Sequence, residues 1–113
     1  MFSVFILDVS VYLYYFISVP HAPRGLTATM TNTTVELKWS EPSVSTGPIT
    51  GYRVHWKNWT KEGEIDTGST NSFYTLRYLS PHVDYTFKVL ALTAAGPGKW
   101  SNEVNNRTKI GGK

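Results

Sequence analysis

Cysteine is absent from the chain, which removes disulfide scaffolds, thiolate zinc sites and cysteine nucleophiles together. It also separates the chain from ordinary immunoglobulin domains, whose two sheets are joined by a disulfide beside a buried Trp. No block of one charge stands out either: eleven Lys and Arg are interspersed with eight Asp and Glu, for a net charge of +3. Nucleic-acid recognition needs a dense basic face with a readable motif, and it is excluded on both counts. Metal chemistry is short of material, because His21, His55 and His82 are the three histidines and none is spaced from another His or a Glu as ligands are. His82 and Asp84 are near neighbours, but nothing supplies an activated serine beside them. Gly96, Pro97 and Gly98 lack the Lys-Ser/Thr and the following helix of a phosphate-cradling loop. No catalytic, cofactor-binding or metal-binding residue is therefore expected, nor a small-molecule substrate.

What is present is the material of one domain. The 113 residues are 41% hydrophobic and 14% aromatic, enough for a single packed core, and the recurring Thr, Val, Tyr, Phe and Trp favour strands. Residues Phe2 to Val19 stand apart as a nearly continuous apolar run, interrupted by Asp8 and ended by Pro20-His21-Ala22-Pro23. As a secretory signal the run lacks a basic start. As a membrane anchor it is near the lower length limit and carries Asp8, which costs about 2.5–3.5 kcal/mol at a helix centre. Residues 1–21 are accordingly set aside as an apolar leader, with a signal, an anchor, a truncated start of a longer chain and an extra strand all left open. Residues 22–108 form the expected domain, and 109–113 a flexible tail.

From Pro23 onward, short alternating runs are separated by Gly, Pro, Ser, Asn and Thr clusters, the pattern of a many-stranded antiparallel sandwich. Val35, Leu37 and Trp39 alternate with Glu36 and Lys38, and a polar turn follows from Ser40 to Pro48. Tyr52, Val54 and Trp56 alternate with Arg53 and His55. A weakly apolar piece around Ile65 reads as an edge strand, and Tyr74 and Leu76 point inward from the next. Tyr85, Phe87, Val89 and Ala91 alternate with Thr86, Lys88, Leu90 and Leu92, which places two leucines on an outer face. Ser101 to Thr108 makes the last strand, with Val104 its one apolar anchor.

The order and spacing of these pieces resemble the fibronectin type III family over about the last four-fifths of the chain. Pro23-Arg24-Gly25-Leu26 is similar to its first strand, Val35 to Trp39 with Pro42 to its second, and Ile49 to Val54 to its third. The sharpest likeness is Leu79-Ser80-Pro81-His82-Val83-Asp84-Tyr85, which resembles the family's Leu-x-Pro-x-x-x-Tyr corner, with Val89, Ala91, Gly96, Gly98 and Ser101 following in order. In such a corner a Tyr buries its ring while its hydroxyl bonds backbone a few residues upstream, so Tyr85 is expected to bond near Leu79. The resemblance implies an all-β, seven-stranded antiparallel β-sandwich of immunoglobulin-like form without a disulfide. Its expected core is Trp39, Tyr52, Val54, Leu76, Leu79, Pro81, Tyr85, Phe87 and Val89. Two departures are visible: Tyr78 stands where the family often has a small residue, and Asn106 interrupts the apolar alternation after Val104, which predicts fraying at the end of the last strand.

Three Asn-x-Thr triplets, at Asn32, Asn58 and Asn106, fit the N-glycosylation acceptor pattern. Arg53, His55, Lys57, Lys88 and Lys99, beside Leu90 and an exposed Tyr78, are placed on one outer sheet face as a candidate patch for a protein partner or a sulfated glycan. The competing reading is a merely solvated face that protects the sheet. The Arg-Gly-Asp tripeptide that some family members carry is absent, so no integrin site of that type is carried over, and Trp100 is expected to pack over the sheet. The function this implies is a non-catalytic protein-interaction or spacer module, extracellular or at the cell surface, with a structural array domain of an intracellular muscle-type protein and an accessory domain of a receptor enzyme as alternatives.

Overall fold

Side chains that alternate between apolar and polar every second residue commit a chain to strands with one buried face, and two such faces must close on each other. The computed structural model describes residues 20–45 and 47–110; the apolar run from Phe2 to Val19 and the last tail residues lie outside the described part. The strands are β1 (Arg24–Met30), β2 (Val35–Ser40), β3 (Gly51–Lys57), β4 (Glu62–Asp66), β5 (Phe73–Leu76), β6 (Asp84–Thr93), β7 (Gly96–Pro97) and β8 (Val104–Arg107). One sheet runs β1-β2-β5, and the other runs β4-β3-β6 with both β7 and β8 along the free side of β6. Every pairing is antiparallel.

Eight strands replace the seven expected because the short β7 pairs with β6 ahead of the expected last strand, whose own start moves from Ser101 to Val104. The cause lies at Ser101. Its N–H donates to the Val89 carbonyl at 2.8 Å, but the Val89 N–H is answered at 3.0 Å by the Ser101 hydroxyl. A side chain thus replaces a carbonyl of the ladder, and regular pairing lapses between β7 and β8. Past that point the order is restored, which corrects the expectation of fraying. Asn106 pairs with Tyr85, its Nδ2 donates to the Ala28 carbonyl of β1 at 3.1 Å, and Thr108 is 1% exposed.

The core lies between the sheets and contains Val35, Leu37 and Trp39 of β2, Tyr52 and Val54 of β3, and Tyr85, Phe87, Val89 and Ala91 of β6. Leu76 and Leu79 close it at one end. Trp39 meets Tyr52 edge-on across the two sheets, with ring centroids 5.1 Å apart. Among the described residues the Trp39 Nε1 and Tyr52 hydroxyl are buried with no hydrogen-bond partner. Of the residues expected in the core, Pro81 is the exception, because it is exposed. Its contribution is conformational: Pro81 followed by His82 at φ 57° has the form of a type II turn, where Pro fixes the second position and the third needs positive φ.

The corner itself is densely bonded. The Tyr85 hydroxyl accepts from the Ser80 N–H at 2.9 Å, next to the expected Leu79. Thr108 reinforces it from β8, its hydroxyl donating to the Ser80 carbonyl at 2.6 Å and accepting from the Val83 N–H at 2.9 Å.

Candidate functional site

The outer face of the larger sheet is set by the β3–β6 register. Arg53 stands opposite Leu90, and His55 opposite Lys88, so strand pairing does bring four of the patch residues together. Lys57 continues the row opposite Thr86 at its end, whereas Lys99 lies in the irregular stretch between β7 and β8, exposed and outside any strand register.

Two of the cations on this face, Arg53 and Lys88, are engaged within the domain. Arg53 stands opposite Asp66 of β4 and grips it with two hydrogen bonds, Nε to Oδ1 at 2.7 Å and Nη2 to Oδ2 at 3.3 Å. That bidentate contact holds the Asp66 carboxyl below the usual carboxylate range and raises the guanidinium. Trp100 reaches onto the neighbouring pair: the Lys88 ammonium lies 4.8 Å from its ring centroid, and the His55 ring meets it edge-on at 6.0 Å. A cation over an indole face is attracted by the ring quadrupole.

Leu90 requires a correction. Expected as exposed apolar surface within the patch, it is 3% exposed. Arg53 lies directly across from it, and Trp100 is drawn onto the adjoining His55–Lys88 pair. The carbon stems and ring of such side chains shield the apolar surface between them. Trp100 packs on the sheet as expected, although it follows an irregular stretch that carries no period. Asp66 was not among the expected patch residues and could have been found from the alternation of β4 against β3.

A second locality lies at the end of the sandwich, where the β3–β4 turn approaches the segment before the corner. A cleft of about 210 Å³ opens there, lined in part by Trp56, Asn58, Lys61, Arg77, Tyr78 and Tyr85. Trp56 lies flat over Gly63, its cross-strand partner: a Cβ at Gly63 would come within 2.9 Å of the indole. Tyr78 is 95% exposed and holds φ at 65°. For a side chain with a Cβ this left-handed conformation costs about 1–2 kcal/mol, which accounts for the departure at this position, where a small residue is more at ease. Trp59, at the tip of the turn, is 90% exposed.

The three Asn-x-Thr triplets occupy different settings. Asn32 is half-buried in the β1–β2 turn, and the hydroxyl of its Thr34 bonds the Thr31 hydroxyl at 2.7 Å. Asn58 opens the β3–β4 turn, its Oδ1 accepting from the Thr60 N–H at 2.9 Å, the Thr60 hydroxyl at 3.0 Å and the Lys61 N–H at 2.8 Å. Asn106 spends its Nδ2 on Ala28, and its Thr108 belongs to the corner.

Titratable groups gather once more where Arg107 bonds Asp84 through Nε and Nη2, both at 3.0 Å, with Nη1 3.3 Å from His82 Nε2. The Arg107 hydrogen bonds lower the Asp84 carboxyl and are themselves the main cause of the raised guanidinium. This cluster is exposed and includes no nucleophile. Among the described residues no three His, Asp or Glu are grouped as metal ligands, and no helix there is long and apolar enough to cross a membrane.

Comparison with known proteins agrees with this architecture. A putative receptor-type tyrosine-protein phosphatase, mosPTP-1 of Culex quinquefasciatus, is 35% identical over 103 residues, which is 83% of this chain and 7% of that protein. The chain thus spans a small fraction of such relatives. Among solved structures, the FN5 domain of Drosophila Lar matches 82% of this chain and all of its own at 25% identity and a TM-score of 0.71. A crystal structure of titin domains matches 80% of this chain and 32% of its own at 30% identity and a TM-score of 0.71. The family profile of the fibronectin type III domain matches residues 21–107. With the divided sandwich, the Trp39–Tyr52 core and the Tyr85 corner already in place, the chain belongs to the fibronectin type III domain family.

Proposed function

We propose that this domain serves in the ectodomain of an extracellular or cell-surface protein, of the adhesion, receptor or matrix kind, spacing its neighbours and presenting loops and a sheet face to a protein partner. At the level of the domain, family membership makes it a non-catalytic interaction or spacer module. The observation that carries the finer reading is the 35% identity to a receptor-type phosphatase, in which such a domain would be an accessory to catalysis elsewhere. Function resides in sites grafted on a fold, so the supporting geometry matters more than the fold itself. Lys57 and Lys99, exposed beside the Trp100 face, are the lysines of the patch with neither an ion pair nor an aromatic ring contact among the described residues. A sulfated glycan would be met by these two, since Arg53 and Lys88 are engaged.

One specific observation favours a second reading: the 30% identity to titin domains supports a role as one unit of an intracellular array. The two are separated by glycosidase treatment of the protein captured from its native source with an antibody raised to residues 22–108. A mobility shift, with the protein at the cell surface or in the medium, is the expected result. A cytosolic protein without glycan would overturn the extracellular reading in favour of the array.

A further inference from the structure

We infer that Asn58 carries an N-linked glycan and that the first sugar of that glycan seats in the cleft between Trp56 and Tyr78. The inference deepens the extracellular reading and rests on it. Two independent observations converge on this place. One is the state of the acceptor: its Oδ1 is held by three hydrogen bonds from Thr60 and Lys61, so the amide is oriented, while no hydrogen bond engages its Nδ2 among the described residues. The other is the cleft, lined by Asn58 together with Trp56 and Tyr78, where Tyr78 presents an almost bare ring on a left-handed backbone. Strain retained at an exposed aromatic points to a role outside the fold. The apolar face of a pyranose ring, with its axial C–H groups, packs on aromatic rings, while its hydroxyls remain in water or reach polar groups such as Arg77 and Lys61.

Asn106 is chemically alike and structurally opposite. A sugar on its Nδ2 would crowd the nitrogen whose bond to Ala28 ties β8 to β1, and the hydroxyl of its triplet is consumed by the corner. The transfer itself forms a bond from Nδ2 of Asn58 to C1 of the sugar. It breaks the bond from that C1 to the phosphate oxygen of a lipid-diphosphate-linked oligosaccharide. The lipid diphosphate leaves, and the amide proton passes to a base of the transferase.

The test uses the full chain behind an added cleavable secretory signal, so that entry into the secretory pathway no longer depends on the chain's own start and the localisation question is decided separately. Enzymatic release of glycans in ¹⁸O-water marks each former acceptor as a heavy Asp, read by peptide mass spectrometry. Marking at Asn58 and none at Asn106 is expected. An unmarked Asn58 overturns the inference, whatever happens at Asn32. The seat is tested by thermal unfolding of chains trimmed to the first sugar, compared with the Asn58→Asp chain, which keeps the Oδ acceptors and is the product of full release. The single sugar should raise Tm by about 4 °C or more, the size of one modest contact in a domain of this length, and Tyr78→Ala should abolish the increment. An increment below about 1 °C, or one that survives in Tyr78→Ala, overturns the seat.

Discussion

The outer face around Trp100 and the end of the sandwich around Tyr78 are opposites in how they use their side chains. On the first, Arg53 is paired with Asp66, Lys88 lies over Trp100 and Leu90 is covered. At the second, Trp59 and Tyr78 are almost fully exposed, one backbone position is strained, and Asn58, held through its Oδ1, has no hydrogen bond on its Nδ2 among the described residues. A row of charges therefore proves a poor guide to an interaction surface, because strand register can hand a charge its partner, as β4 gives Asp66 to Arg53. Aromatic surface that the fold leaves uncovered is the more informative sign.

The largest break in this comparison comes from Trp100. If the face is held by its indole, Trp100→Ala should lower stability by about 2 kcal/mol, less than the roughly 3–5 kcal/mol that losing a fully buried aromatic costs, since Trp100 is half-buried. The measurement is the urea midpoint at unchanged m-value, with Lys88→Ala as the control, because removal of the cation alone should cost less than about 1 kcal/mol. Equal effects of the two would mean that the indole covers nothing and that the face is as open as the charged row first suggests.

Tyr78 offers the converse test. Tyr78→Gly removes a side chain that is 95% exposed from a φ of 65°, so stability of the unglycosylated domain should rise by about 1 kcal/mol. Most Tyr→Gly changes in an ordered domain would go the other way. A loss of stability would show that the ring serves the fold after all, and the contrast between the two regions would collapse.

How far each region was legible in the sequence follows from the same physics. Alternation located Trp39, Tyr52, Val54 and Phe87, because a period of two is imposed by the pleat itself. The corner was legible as a pattern of Leu79, Pro81 and Tyr85, but Pro81 was misplaced in the core since a motif position does not reveal whether it packs or merely fixes φ. Leu90 was read as exposed because alternation tells which face a side chain occupies and says nothing of what covers that face. Trp100, which sits on the adjoining His55–Lys88 pair, follows a stretch where Ser101 replaces a carbonyl of the ladder, and no periodicity predicts that replacement. Tyr78 was visible as a departure, though its left-handed backbone was not, because φ is set by the turn the neighbours require.

The smallest effect concerns the ion pair that closes the charged face. The Arg53 hydrogen bonds lower the Asp66 carboxyl, so the pair contributes stability above the unfolded carboxylate range, near pH 4, and loses it as pH falls through the lower folded value. Because both side chains remain partly in water, screening keeps the contribution to about 0.2–1 kcal/mol. Asp66→Asn should therefore lie below wild type by that amount at about pH 7, and the difference should narrow steadily as pH falls below the unfolded carboxylate range and Asp66 takes up its proton. Added salt should narrow the difference at neutral pH. A difference that persists unchanged into acid would mean that the two hydrogen bonds act by shape alone, and that the face owes its closure to Trp100 rather than to paired charge.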